Sequence, residues 1–213
     1  MHNKLPNIFT FISEFKKEEI LEIKKNIGII FRNYKKKVDK KEEILKINKN
    51  IGIIFRNYKK KVDKKEILKI KSFCKTHNRS FFLANDLQLS INLNLDGAYI
   101  PSFNKSLNLR KYKLKKNFLM MGSAHSLKEI KIKEKQNVEL IFLSPLFKVK
   151  KSKTHLNIIK FNILSNLTKK KLIALGGINE KNIKIIKITN AYGYSGISYF
   201  KKPVNTFLNE YQR

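Results

Sequence analysis

Short apolar runs, each about the length of one strand, alternate along this chain of 213 residues with lysine-rich amphipathic stretches. The runs are Ile8–Ser13, Ile51–Asn57, Ser80–Asn85, Asp96–Ile100, Phe118–Ala124, Leu140–Leu146, Leu172–Ile178 and Tyr192–Ser198. Near-continuous hydrophobicity of this kind belongs to strands covered on both faces. Helical patterns such as SLKEIKIKEKQ and EKNIKIIKI follow most of the runs and supply the covers. Strand–helix alternation predicts a parallel sheet. Eight units in so short a chain favour a single compact (β/α)8 barrel over residues 1–213. Periodicity alone leaves an open doubly wound sheet as the runner-up.

That count of eight sets one further run aside. Lys16–Glu42 matches Lys40–Glu66 at a spacing of 24 residues, with 25 of 27 positions identical; only Glu22/Lys46 and Lys24/Asn48 differ. Solenoids stack several diverged copies. Two near-identical units, 16–39 and 40–63, in an otherwise aperiodic chain point instead to tandem duplication of one αβ unit. Without one unit the chain has 213 − 24 = 189 residues. A closed eight-stranded ring has no vacancy for another strand. One unit is therefore expected outside the ring or in place of Ile8–Ser13, with the second copy as strand two.

Forty-seven Lys and Arg against 16 Asp and Glu give a net charge of +31, yet 42% of the residues are hydrophobic and 11% aromatic. A disordered basic tail lacks such core-forming residues. The charge raises nucleic acid or an anionic membrane as partners. Against that, the lysines are spread along the chain, arginines are few, and Lys, Asn and Ile are abundant throughout, the mark of a codon bias. Nucleic acid is not the expected partner. The lone Cys74 excludes a disulfide framework and a multi-cysteine zinc site, and fits inert packing in a reducing compartment. No run reaches the roughly 18 apolar residues of a membrane span. A cytoplasmic protein without a membrane partner is expected.

Reactive groups in a barrel gather at the C-terminal ends of the strands. The clearest candidate there is ALGGINEKNI, where Gly176 and Gly177 end a strand and Asn179 stands ready to cap a helix from Glu180. Glycines let backbone N–H groups approach a ligand, and a helix N-terminus favours an anion. YGYSGIS, with Gly193, Gly196 and Ser198, would complete a phosphate pocket. In MGSAHSLKE, Ser123 and His125 share one face of a strand, and Ser126 with Glu129 fits a capping box. Imidazole shuttles protons near neutral pH. Asp86 reads equally well as a Mg²⁺ ligand or as the cap of helix LQLSINL. Arg56, repeated as Arg32, suits a bidentate grip on phosphate.

In this order and spacing the motifs resemble the thiamine phosphate synthase / TenI superfamily of small (β/α)8 barrels, from about Ile51 to Ser198. LANDLQLSINLNLDGAYI is similar to the family's Asn-Asp and Asp-Gly segments, MGSAHSLKE to its Ser-x-His turn, and LIFLSPLF to its Gly/Ser-Pro-x-Phe segment. ALGGIN and YGYSGIS resemble its phosphate-binding end. The resemblance implies an enzyme of thiamine biosynthesis that couples hydroxymethylpyrimidine diphosphate to thiazole phosphate, with Mg²⁺ as cofactor and phosphorylated small molecules as substrates. It implies that Arg56 and Asn85 contact the pyrimidine diphosphate, that Asp86 ligates Mg²⁺ and that Ser123 touches the diphosphate. Gly177 and Ser198, with Gly176, would hold the thiazole phosphate.

The chain also departs from that pattern. Ile54 and Tyr58 stand where the family has Gln and Lys around Arg56, and Pro101, Ser102, Phe103 and Asn104 replace a run that ends in the second metal-binding Asp. In the loop before the next helix only Ser152 and Lys153 resemble a Thr-Lys pair. A single carboxylate weakens the implied Mg²⁺ site. Two alternatives follow: a metal-free TenI-type thiazole tautomerase with His125 as acid/base, and a non-catalytic basic barrel binding RNA or another polyanion.

Overall fold

A computed structural model describes residues 8–12, 27–32, 53–56, 64–76, 80–150, 152–179 and 181–196, with backbone alone for 8–12, 27–32, 53, 66 and 196. Nine strands appear in it: β1 Ile8–Ile12, β2 Ile27–Arg32, β3 Ile53–Arg56, β4 Phe81–Ala84, β5 Gly97–Ile100, β6 Leu119–Ala124, β7 Leu140–Leu143, β8 Lys171–Leu175 and β9 Gly193–Gly196. Each pairs in parallel with the next in chain order. The seven from β3 to β9 make a curled sheet, and β1 and β2 complete it, with β9 pairing β1 to close the ring.

All eight expected runs supply strands, and a ninth comes from the first repeat unit. This corrects the eight-stranded barrel and the expectation that one unit is left out. Both copies occupy the ring, and the second copy supplies β3, not strand two. Their pairing runs Ile29↔Ile53, Ile30↔Ile54, Phe31↔Phe55 and Arg32↔Arg56, so each residue lies beside its own duplicate. The mistaken premise was a fixed strand number. A barrel widens roughly in proportion to its strand count, and a copy with the same apolar strand pairs as well as the original. The other residues of units 16–39 and 40–63 lie outside the described residues.

Four α-helices are described: α1 Lys64–Thr76, α2 Leu87–Asn92, α3 Leu127–Lys135 and α4 Asn157–Asn166. Ile67, Ile70 and Cys74 form the buried stripe of α1, at the spacing a helix needs to turn one face inward. Cys74 is thus packing, as its isolation suggested. Two 3-10 segments, Leu107–Lys111 and Ile183–Ile188, follow β5 and β8. Among the described residues no helix is long and apolar enough to cross a membrane.

Strand alternation sorts the core into two layers. Ile54, Phe82, Ala84, Tyr99, Met121, Leu140, Phe142 and Ile173 pack together on one face of the sheet. The opposite face, with Ala98, Ile100, Met120, Ile141, Leu143, Leu172 and Ala174, packs against Ile130 of α3 and Phe161 and Leu164 of α4. Only helical residues of the second layer identify it as the outer one, so Ile54 and its neighbours fill the interior. Gly97 allows β5 and β6 their close approach, since a Cβ there would lie 2.0 Å from Leu119 O.

Deleting residues 40–63 should leave a 189-residue chain that closes an eight-stranded ring. Its cooperative thermal unfolding, followed by circular dichroism, should fall within about 4 °C of the full chain, the equivalent of roughly 1 kcal/mol for a domain of this size.

Candidate active site

The C-terminal strand ends carry most of the residues singled out from the sequence. Arg56 ends β3 half-buried, two residues beyond interior Ile54 and so on the same face. Ser123 follows Met121 in β6 by the same step and is 8% exposed. Asn85 and Asp86 follow β4, His125 follows β6, and Ser144 follows β7.

A loop after β5 joins two of these. Ser102 N donates to Ser123 Oγ at 3.0 Å, and Asn104 Nδ2 donates to Asn85 Oδ1 at 2.8 Å. Asn85 N donates to Tyr99 O at 2.8 Å, and Asn85 adopts a left-handed φ of 64°, a region that Asn tolerates better than most residues. With its oxygen already accepting, Ser123 keeps its hydroxyl proton to donate. Asn85 likewise keeps its NH₂ group. Two hydrogen-bond donors suit an anionic ligand.

On the other side of Ser123, His125 Nδ1 lies 2.7 Å from Ser144 O and 3.2 Å from Ser144 Oγ. A carbonyl only accepts, so Nδ1 is the donor of this bond and Nε2 is the ring nitrogen left for a ligand. The turn into α3 is tied by the expected capping residues. Ser126 Oγ accepts from Glu129 N at 3.3 Å, while Glu129 Oε2 accepts from His125 N at 2.7 Å, one residue before the usual partner.

Asp86 resolves toward the cap. Its Oδ1 accepts from Leu89 N at 2.9 Å, the N-cap bond of α2, and its backbone oxygen accepts from Ser90 Oγ at 2.6 Å. In the β5 loop Asn104 brings an amide, already bonded to Asn85, to the region where a second carboxylate was implied. Among the described residues no three His, Cys, Asp or Glu side chains cluster as metal ligands. One carboxylate with an oxygen committed to a helix cap, beside amides, does not fit a Mg²⁺ ion held by the protein.

Gly176 and Gly177 have φ of 94° and 71°, and a Cβ on either would come within 2.8 Å of Pro145 or of Phe147 O. Their lack of side chains lets the β8 turn pack on the β7 loop, with Leu146 N bonded to Leu175 O and Phe147 N to Gly176 O. The helix expected from Glu180 differs. Asn179 Oδ1 accepts from Lys181 N at 2.9 Å, but the regular element that follows is the 3-10 segment Ile183–Ile188. Two Asn side chains, Asn179 and Asn182, donate to Gly177 O and hold this irregular entry. An anion here would gain little from a helix N-terminus.

Ser152 and Lys153 sit in the β7 loop, where Ser152 Oγ donates to Thr154 O at 2.7 Å and Lys153 is exposed. No hydrogen bond or ion pair among the described residues joins them to Ser123, His125 or Asn85. Ser198 lies outside the described residues.

Sequence reasoning missed four contributors: Ser102 and Asn104 in the β5 loop, and Lys133 and Gln136 behind it. It also missed Ser195, buried in β9 with an Oγ that has no hydrogen-bond partner. Lys133 is fully buried. Burial lowers its ammonium from the usual 10.5 to about 8, against the opposing pull of Glu129.

Comparison with known proteins gives a consistent result. The model for the family described as thiamine monophosphate synthase matches residues 30–200. A relative in Aquifex aeolicus, "Putative thiamine-phosphate synthase 2", is 31% identical over 62% of this chain and 72% of its own length. The thiamine-phosphate synthase of Prochlorococcus marinus is 27% identical over 56% of this chain, a match covering 35% of that protein. Among solved structures, thiamine phosphate pyrophosphorylase from Pyrococcus furiosus superposes with a TM-score of 0.56 at 18% identity, covering 76% of this chain and 80% of that one. FabK from Thermotoga maritima gives 0.54 at 12% identity, over 71% and 51%. At these identities the superpositions speak for the fold.

Two measurements check the site. Asp86→Ala should cost about 1 kcal/mol of stability and Asp86→Asn only a few tenths, because Asn also caps. Between pH 8 and 10.5 the unfolded chain binds more protons at Lys133 than the folded chain does. The contribution of Lys133 to stability is thus fully present above 10.5 and lost as pH falls through about 8. Relative to Lys133→Met, denaturant unfolding of the wild type should gain up to about 1.4 kcal/mol per pH unit across that window.

Proposed function

Because this chain belongs to the thiamine monophosphate synthase family, we propose that it is a transferase of thiamine biosynthesis that joins hydroxymethylpyrimidine diphosphate to thiazole phosphate. The thiazole nitrogen forms a bond to the pyrimidine methylene carbon while the bond from that carbon to the diphosphate oxygen breaks. Diphosphate departs with the electron pair. The protein has little covalent work in such a step and contributes by position and charge.

The observation that carries this reading is that one loop donates to the oxygens of both Ser123 and Asn85, which leaves their own donors for a ligand, at the same rim of strand ends as Arg56. Arg56 would grip the diphosphate and Ser123 and Asn85 would donate to it, with Lys153 and Ser152 arriving from the β7 loop. Gly176, Gly177 and Ser198 would take the thiazole phosphate through backbone and hydroxyl donors. Asp86 acts first as a helix cap, and no protein-held Mg²⁺ enters the proposal. Exposed lysines lie on α1, α3, α4 and the second 3-10 segment alike, which supports a distributed charge over a nucleic-acid face.

A specific observation favours a second reading, the thiazole tautomerase. His125 has Nδ1 held on Ser144 O, so Nε2 is available as acid/base without any metal. Purified protein given both phosphorylated halves separates the two. Coupling is expected, with Arg56→Ala lowering kcat/KM by about 100-fold and His125→Ala changing it little. Proton exchange on the thiazole without coupling, abolished by His125→Ala, would establish the tautomerase instead.

A further inference from the structure

One buried ammonium outside the ring is committed to the mouth. Lys133 extends from α3 along β6, where Gly122 makes room for its stem: a Cβ at Gly122 would lie 3.1 Å from Lys133 Cδ and 2.8 Å from Ile100 O. Its Nζ donates to Pro101 O at 2.8 Å, to Asn104 O at 2.8 Å and to Gln136 Oε1 at 2.9 Å. Three protons thus meet three acceptors. Gln136, also buried, donates from Nε2 to Asn104 O at 3.0 Å and to Ser106 O at 2.8 Å. Every acceptor outside α3 and its C-cap is a carbonyl of the one loop after β5.

An apolar side chain could fill the same space without the cost of burying a charge. What the ammonium adds is a fixed backbone for residues 101–106. That backbone carries Ser102 N to Ser123 Oγ and the Asn104 amide to Asn85 Oδ1. We propose that Lys133, together with Gln136, is a positioning residue that orients the Ser123 hydroxyl and the Asn85 amide toward the substrate diphosphate by clamping the β5 loop. The substrate named here rests on the transferase reading above; the clamp does not. Lys133 touches no reacting atom. A change at Lys133 propagates through two parallel arms, one ending on each donor, and neither arm runs through Arg56 or His125.

The test compares full-length wild type, Lys133→Met, Gln136→Met and Asn104→Ala. Inorganic diphosphate is the binding probe, and the Asn85 side-chain amide resonance, assigned by its loss in Asn85→Ala, reports orientation. In Lys133→Met that resonance should shift and broaden. The KM for the pyrimidine diphosphate and the Kd for inorganic diphosphate should both rise by about 10- to 100-fold, with a smaller change in kcat. Asn104→Ala should reproduce the resonance shift and part of the loss in affinity, since it cuts one arm alone. Folded Lys133→Met with an unmoved resonance and unchanged Kd overturns the proposal. If Lys133→Met does not fold, Gln136→Met and Asn104→Ala decide by the same readouts. If wild type neither couples the substrates nor binds diphosphate, the transferase reading fails. The Asn85 resonance in the variants still accepts or rejects the clamp.

Discussion

Every described strand of this protein pairs in parallel, and that constraint governs what surrounds it. A parallel strand cannot return through a tight hairpin, so its connection must cross outside the sheet, as α2, α3 and α4 do between the strands they join. Both faces of the sheet then need apolar cover, which the interior cluster around Tyr99 and Phe142 and the outer layer under α3 and α4 provide. Parallel order also sends every strand's C-terminal end to one rim. The pairing of β9 with β1 removes the last free edges and gives that rim a continuous circumference. Strand ends distant in sequence, from Arg56 of β3 to Leu175 of β8, share one rim for that reason alone.

At the rim, short backbone and side-chain bonds between neighbouring loops determine which polar atoms remain for a ligand. The β7 loop lies on the β8 turn because two glycines there leave no Cβ to separate them. His125 is held through Nδ1 by a carbonyl from the adjacent strand's end. The β5 loop does the most, because it accepts from α3 on its outer side and donates toward Ser123 and Asn85 on its inner side. At Ser123 and Asn85 these bonds occupy the acceptor oxygens and leave the donors.

Much of this was legible in the residues. Strand positions followed from apolar runs bounded by polar residues, and the end of β6 with its cap was readable from Ser126 and Glu129 because capping depends on local geometry. The ninth strand was not, since local sequence defines a strand and not how many a ring admits. Asp86 remained ambiguous because a cap and a metal ligand ask for the same side chain at the same place. After β8, IKIIKI has a helical look, yet two Asn side chains anchored on Gly177 O and a run of β-branched residues produce a 3-10 segment. Lys133 was invisible for a different reason: among 47 basic residues nothing local marks the one that points inward. Its signal was the small residue opposite, Gly122, which only the pairing of α3 with β6 makes meaningful.

The same contrast changes how the net charge of +31 is to be understood. Charge on the outer helices is exposed to water and salt, where a lysine adds little to structure and acts at no defined point. Buried at the back of a loop, a single ammonium acts over fixed 2.8 Å contacts and determines the loop's path. Functional electrostatics here therefore rests on geometry and not on the number of charges. On the proposed reading, a chain this rich in exposed lysine keeps a specific anion site as long as Lys133, Gln136, Asn85 and Asn104 retain their partners. The amide at Asn104 belongs to the same account, because it can serve as donor to Asn85 Oδ1, as an ionised carboxylate could not.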